Sequence, residues 1–362
     1  MKAIIKSIAA IAMFAFTAPA FAGGVSVYDN GESKLKLSGK VFVDVTNSKT
    51  DTTTAGVTST TKTQGFNLGR AYLTGKYYFN SDWMMRITTD VASETAAGLG
   101  KTTNVYLKYA YLEGKLYGKA LEMRLGVSHN PWIDYEQGLW KHRYFSKVSS
   151  DEFKYDDSAD IGIGFKGKVA DGLIGYWVTA VNGGGYGNLT KTNGIDYKSR
   201  VSIYPIEGLT IDLGYNTGYR GKKTYVANVA TNPLRQSMYQ IMVTYGTHDF
   251  RIGANYIANK DKASKNIDAK TTALWGWANV GSGFGVVGRY EQEKSNTLVA
   301  GVVPAGQAKQ KRTRFLAGVS YDPTKHVTFT LGYIQDKTTA LAHVIGDVAK
   351  TTQIGVWSQY TY

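Results

Sequence analysis

Apolar and polar side chains alternate through stretches of about ten residues that recur from Lys34 to the final residue. Examples are "KLKLSGKVFVDV", "WMMRITTDV", "ADIGIGFKGK", "LTIDLGYN", "FRIGANYIA" and "VTFTLGYIQ". A period of two marks strands with one apolar face, and about sixteen such strands are expected. The last stretch, "TTQIGVWSQYTY", keeps Ile354, Val356, Tyr360 and Tyr362 on one face and Gln353, Gln359 and Thr361 on the other. Terminal residues are seldom ordered unless tied down. A strand patterned to its last side chain is therefore expected to pair with the first strand and close a ring.

The connections alternate between two kinds. Tight ones lie at Asn80–Asp82, Gly118–Ala120, Asp171–Gly172, Glu207–Gly208, Thr247–Asp249, around Ser282, and at Asp322–His326. Most carry Gly, Asn or Asp, which tolerate the positive φ of hairpin turns. Between them lie long polar stretches, roughly 47–64, 93–103, 133–158, 187–194, 221–234, 260–270, 296–309 and 338–349. Short turns at one end and long loops at the other predict an all-β transmembrane antiparallel barrel of sixteen strands, with periplasmic turns and extracellular loops. Hydrocarbon forces the closure, because each unpaired backbone group there costs several kcal/mol. No fixed repeat points to a solenoid, and a sandwich would not sort its turns by length.

The first residues, "MKAIIKSIAAIAMFAFTAPAFAGG", place Lys2 and Lys6 before an apolar run and an Ala-x-Ala site. This predicts a signal peptide over 1–22 and one barrel domain over 23–362. The chain lacks cysteine, which excludes disulfides, thiolate chemistry and Cys-ligated zinc. Its formal charge is +14.

Lipid sets the phase of each strand, since Arg or Lys on the lipid face near the midplane costs about 2–4 kcal/mol. Leu35, Leu37, Val41, Val43 and Val45 therefore point outward, and Lys36, Lys40 and Asp44 inward. The same rule turns Arg70, Lys76, Arg86, Lys108, Arg124, Lys166, Lys198, Arg200, Arg251, Arg289, Arg312 and Arg314 inward, together with Asp90, Glu122, Asp160, Asp196, Asp212, Glu291 and Glu293. "LIGYWVTAV" and "TTALWGWANVG" alternate too poorly to phase. Tyr77, Tyr78, Phe79 and Trp83 cluster as an interfacial girdle would. A sixteen-strand ring with a charged interior is too wide for side chains to fill, so a water-filled pore is expected.

The third long stretch, "IDYEQGLWKHRYFSKVSSDEFKYDDS", carries Trp140, Tyr144 and Phe145, which need a surface to pack on. It is expected to fold into the lumen as a constriction, with Lys141, His142 and Arg143 facing the path.

The whole chain after the leader resembles the general trimeric bacterial porins. Its stretch "NLGRAYLTGKYYFNSDWMMRITTDV", followed by "VYLKYAYLEGKLYGKALEMRLGVSHNPW", resembles more narrowly the phosphate-selective porin family. The matching positions are Arg70, Asp90, Arg124, Leu125, Gly126 and Pro131. The resemblance implies an outer-membrane homotrimer contacting lipid and lipopolysaccharide and passing small anionic solutes. It also implies an anion-selecting ladder with Arg70, Arg86, Arg124 and Arg200, joined by Lys141 and Arg143. The phase rule adds Lys36, Lys40, Lys108, Lys198, Arg289 and Arg314 to the pore lining. Interspersed acidic residues, and a terminal Tyr in place of the family's Phe, depart from the pattern.

Other chemistry finds little support. The histidines show no recognisable triad spacing, and His129, Asp134 and His142 lack a zinc signature. Asp151, Glu152, Asp156 and Asp157 read as a solvated cluster. "NGGGYGN" opens no helix that would hold phosphate. No catalytic residue, metal, cofactor or nucleic-acid partner is expected. The competing readings are a cation-preferring or sugar-specific porin, and beyond these a barrel enzyme or an adhesin.

Overall fold

The computed structural model describes residues 24–96, 100–223, 225, 233–264, 267–298, 307–340 and 348–362. The expected leader and His343 lie outside them. In chain order the elements are β1 (Val25–Asp29), β2 (Lys34–Thr54), β3 (Val57–Tyr78), β4 (Trp83–Ala96), β5 (Gly100–Tyr117) and β6 (Leu121–His129). Two helices follow, α1 (Ile133–Trp140) and α2 (Ser149–Glu152). The chain continues through β7 (Ala159–Val169), β8 (Ile174–Val181), β9 (Asp196–Ile203), β10 (Leu209–Gly218), β11 (Gln236–Gly246) and β12 (Phe250–Asp261). It ends with β13 (Ile267–Gly281), β14 (Phe284–Leu298), β15 (Gln307–Thr324), β16 (Val327–Ala340) and β17 (Val348–Thr361).

From β2 to β17 each strand pairs antiparallel with its sequence neighbours, and β17 pairs with β2 from Val348↔Thr53 to Thr361↔Lys40. The result is a closed sixteen-strand barrel. All seven expected tight turns join adjacent strands at one end. The extra strand β1 was not foreseen. It pairs with β2 (Val25↔Leu37 to Asp29↔Lys34) along the edge that β17 leaves at Gly39. There Gly39 and Tyr362 exchange backbone hydrogen bonds of 3.2 and 3.1 Å.

One expectation needs correction: the polar stretch 47–64 is not a loop. Strands β2 and β3 stay paired out to Thr54↔Val57 and turn through Ala55 and Gly56, both at positive φ. Thr and Ser dominate this stretch, and threonine suits a pleated, half-buried surface. Polarity alone marked it as loop. Likewise the expected loop 93–103 is mostly strand, with β4 and β5 paired to Ala96↔Gly100, and β12 and β13 extend into 260–270; 97–99 and 265–266 lie outside the described residues.

The outer face carries an apolar band between aromatic rows. On β11, Tyr239 and Tyr245 flank Ile241 and Val243; on β14, Phe284 and Tyr290 flank Val286; on β15, Phe315 and Tyr321 flank Val319. All are exposed. Each aromatic pair stands six residues apart, about 20 Å along a strand. Near the tight turns the rings pack on one another, as Tyr77 on Phe79 at 5.1 Å and Phe284 on Tyr321 at 4.7 Å. Tyr78 leaves the expected girdle and turns inward, beside Lys36 and Met84.

Candidate functional site

The segment between β6 and β7 runs inside the barrel. Its neck is tied where Asn130 N–H donates to Ser158 O (2.9 Å) and Asn130 Nδ2 to Asp157 O (2.7 Å). Asp134 and Glu136 in the first turn of α1 suit the positive end of the helix dipole. The helix ends where Lys141 takes φ 62 and its N–H closes on Gln137 O. Ile133, Glu136 and Trp140 share one face and are buried.

That face meets the inner wall of β12 and β13. Trp140 lies edge-on to Trp275, ring centroids 5.7 Å apart at 81°. Trp277 Nε1 donates to Leu139 O at 2.9 Å. Glu136 accepts from Trp132 Nε1 (2.7 Å) and Asn255 Nδ2 (2.8 Å). Burial pushes the Glu136 carboxyl up to about 7. Further along, Tyr144 Oη meets Thr330 Oγ1 at 2.6 Å, and Phe145 packs on Trp357 at 4.8 Å. Ser149 donates to Glu291 at 2.5 Å, and the Tyr155 hydroxyl donates to Glu293.

Seven of the twelve expected pore-lining cations are held in ion pairs. Lys198 meets Asp156 at 2.5 Å, and Arg200 donates to Pro131 O (2.8 Å) beside Asp212. Arg289 donates to Ser146 Oγ (2.7 Å) and pairs with Glu291 (3.2 Å). Arg314 donates to Ser146 Oγ (2.8 Å) and pairs with Glu152 (3.2 Å). These four are buried beneath the segment and fasten it. Arg70 pairs with Asp90 (2.5 Å), Arg124 with Glu113 (2.6 Å), and Arg143 with Asp151 (3.3 Å). Lys108 is also buried; its Nζ donates to Ser158 Oγ at 2.6 Å.

The other four differ. Lys40, Arg86 and Lys141 line a cavity of about 970 Å³ between the segment and the walls of β2–β6, β13 and β15–β17, together with Lys76, Lys325, Asp322 and the ion-paired Arg143. Lys36 lies alongside, near the Tyr78 ring. Among the described residues none of Lys36, Lys40, Lys76, Arg86 or Lys141 has a carboxylate partner within ion-pair distance, unlike the seven above. Arg86 rests over the Tyr109 ring (4.6 Å) and Lys141 over Trp277 (3.9 Å). Asp134 also lines the cavity but is engaged by Tyr109 Oη (2.9 Å) and His129 Nε2 (3.2 Å). His129 Nδ1 lies 3.0 Å from Arg124 Nη1, and its Nε2 faces both Asp134 and Arg86 Nη1 (3.4 Å). Burial pushes His142 down to about 4, so it is uncharged at neutral pH between Lys141 and Arg143.

No family model matches the chain, and no curated protein sequence matches it significantly. Solved structures do. OmpT of Vibrio cholerae with loop L8 deleted is 14% identical, covering 91% of this chain and 100% of that one, TM-score 0.61. The anion-selective porin from Comamonas acidovorans is 14% identical, covering 91% and 100%, TM-score 0.57. OmpF of Salmonella typhi, solved with daunomycin, is 15% identical, covering 93% and 100%, TM-score 0.59. A further structure of Vibrio cholerae OmpT is described as a trimer form.

The chain has the outer-membrane porin fold.

With its apolar outer band, this porin-type barrel is integral to the outer membrane. The residues that seat its segment escaped the sequence reading. Trp275 and Trp277 lie on one unphased strand and Trp177 on the other; all three face inward and are buried. Their strands alternate poorly because bulky aromatics occupy the inner face opposite apolar lipid-facing residues such as Leu274 and Val178. Gly214 and Gly332 lie within the alternating stretches "LTIDLGYN" and "VTFTLGYIQ", where nothing local sets them apart. A β-carbon on Gly214 would stand 2.6 Å from the Trp132 ring, and one on Gly332 2.5 Å from Phe145.

Proposed function

We propose that this protein is a passive outer-membrane channel that admits small hydrophilic solutes and favours anions, and that it is not an enzyme. The reading is carried by Lys40, Lys76, Arg86 and Lys141, cations around one cavity that have no ion-pair partner among the described residues and outnumber its side-chain carboxylates, Asp134 and Asp322. Fixed cationic side chains in a water-filled passage raise the local concentration of anions and repel cations. Segment 133–158 acts as the constriction, with Lys141 and Arg143 on its path side. The ion-paired Lys198, Arg200, Arg289 and Arg314 serve to hold that constriction and contribute little net field. Phosphate belongs among the solutes by the resemblance around Arg70, Asp90 and Arg124. A homotrimer set in lipopolysaccharide is the proposed assembly, supported by the trimer form of Vibrio cholerae OmpT.

The test is the zero-current potential of the purified protein in a planar bilayer under a potassium chloride gradient. A potential favouring chloride is expected. One favouring potassium would overturn the anion preference, and an absence of conductance would overturn the channel itself.

A further inference from the structure

Lys36, Lys76 and Arg86 stand directly opposite one another on three adjacent strands. Lys36 is in register with Lys76 across β2 and β3, and Lys76 with Arg86 across β3 and β4. All three are half-buried on the inner face, near the tight turn that follows Tyr78. Directly opposed side chains lie about 5 Å apart, and like charges placed so destabilise a sheet. Other cations of this wall are neutralised, as in Arg70–Asp90 and Arg124–Glu113, although Lys40 on β2 is not. Among the described residues this row has no ion-pair partner, and Glu113, the carboxylate that acts on Lys76, is already paired with Arg124 and Lys166, so a bound anion would relieve its repulsion.

We propose that the row is a subsite for small di- and tricarboxylates, whose separate charged groups match its spacing. Such an anion spans two or three cations, each carboxylate resting between neighbours. Inorganic phosphate carries its charge around a single centre and engages one gap at a time. The Tyr78 ring beside Lys36 and the Tyr109 ring beneath Arg86 supply apolar walls for the carbon chain. The subsite lies at the tight-turn mouth and refines the anion-channel reading, on which it rests.

Tricarballylate, propionate and inorganic phosphate, added to either side of a bilayer at matched ionic strength, test it through block of single-channel current. Tricarballylate is expected to block at a concentration about tenfold or more below the other two. K76Q should bring it within about twofold of phosphate, whereas K119Q, exposed on the turn at the same mouth, should leave the difference intact. Wild-type block by tricarballylate no stronger than by phosphate, or a K76Q channel that keeps the tenfold difference, would overturn the subsite. A potassium-favouring potential with Lys76-dependent block intact would overturn the anion-channel reading and support the subsite.

Discussion

Phe145 of the inner segment sits directly over Gly332 of β16, where a β-carbon would come within 2.5 Å of its ring. The wall gives up a side chain at that point so that the segment can lie flat against it. Gly332→Val should lift the ring off Trp357 and cost about 1–3 kcal/mol, the usual range for overpacking. Single-channel conductance should rise as the segment loosens. Unaltered conductance in a folded variant would mean the segment is not held at this contact.

Arg289 is buried between Ser146, the Lys147 carbonyl and Glu291. Its removal leaves Glu291 with Arg314 at 3.6 Å as the nearest cation. Breaking a buried pair this way costs about 3–5 kcal/mol. Arg289→Ala should lower the temperature of the folded-to-unfolded mobility shift in detergent, and a second change, Glu291→Gln, should recover part of it. An unmoved transition would show that the pair does not hold the segment.

Glu136 gives the segment a pH dependence of definite sign. Its folded value, about 7, lies above the ordinary 4.5, so the folded state binds the proton more tightly. Its stabilising share is present in full below about pH 4.5 and is lost as pH rises through 7. Glu152 runs the other way: burial alone would raise it, but Arg314 and Arg312 hold it below the usual range, so its share is lost only in acid. Protection of the amides over 133–140, each rate taken relative to the intrinsic rate at the same pH, should therefore be higher at pH 5.5 than at pH 8. Glu136→Gln should abolish that difference; if it persists, another group is responsible.

Lys40 and Arg86 should act on permeation, and Lys198 on stability alone. One charge about 7 Å from a passing ion in water is worth about 0.6 kcal/mol, or about threefold in permeability ratio. Lys40→Gln and Arg86→Gln should each reduce chloride preference by about that factor in reversal-potential measurements. Lys198→Met, which breaks the pair with Asp156, should destabilise the barrel and leave the ratio near wild type. A Lys198 effect as large as that of Lys40 would contradict the division between fastening and steering cations.

The barrel was legible because lipid disciplines every outward residue, and period two in "FRIGANYIA" or "VTFTLGYIQ" needs no knowledge of its partners. Turn chemistry located all seven tight turns for a similar local reason. The inner face obeys no comparable rule. Arg86 and Arg289 both point inward and look alike in sequence, yet one lines the open cavity and the other meets Glu291 and Ser146. That distinction depends on where an infolded segment lands, which is a long-range relation. Its one local trace is the glycine in "DLGYN" and "TLGYIQ", where a small residue opposes a distant aromatic.

Segment 133–158 touches the wall at Phe42, Tyr109, His129, Lys198, Asn216, Gln236, Asn255, Trp275, Glu291, Arg314, Thr330 and Trp357, on at least twelve of the sixteen strands. A thin-walled tube under lateral pressure fails by ovalising, and internal struts are what keep its cross-section round. Bilayer tension thus bears on a braced tube here, in which bore and stiffness are set by the same twenty-six residues. A wider bore made by trimming this segment would come with a softer wall.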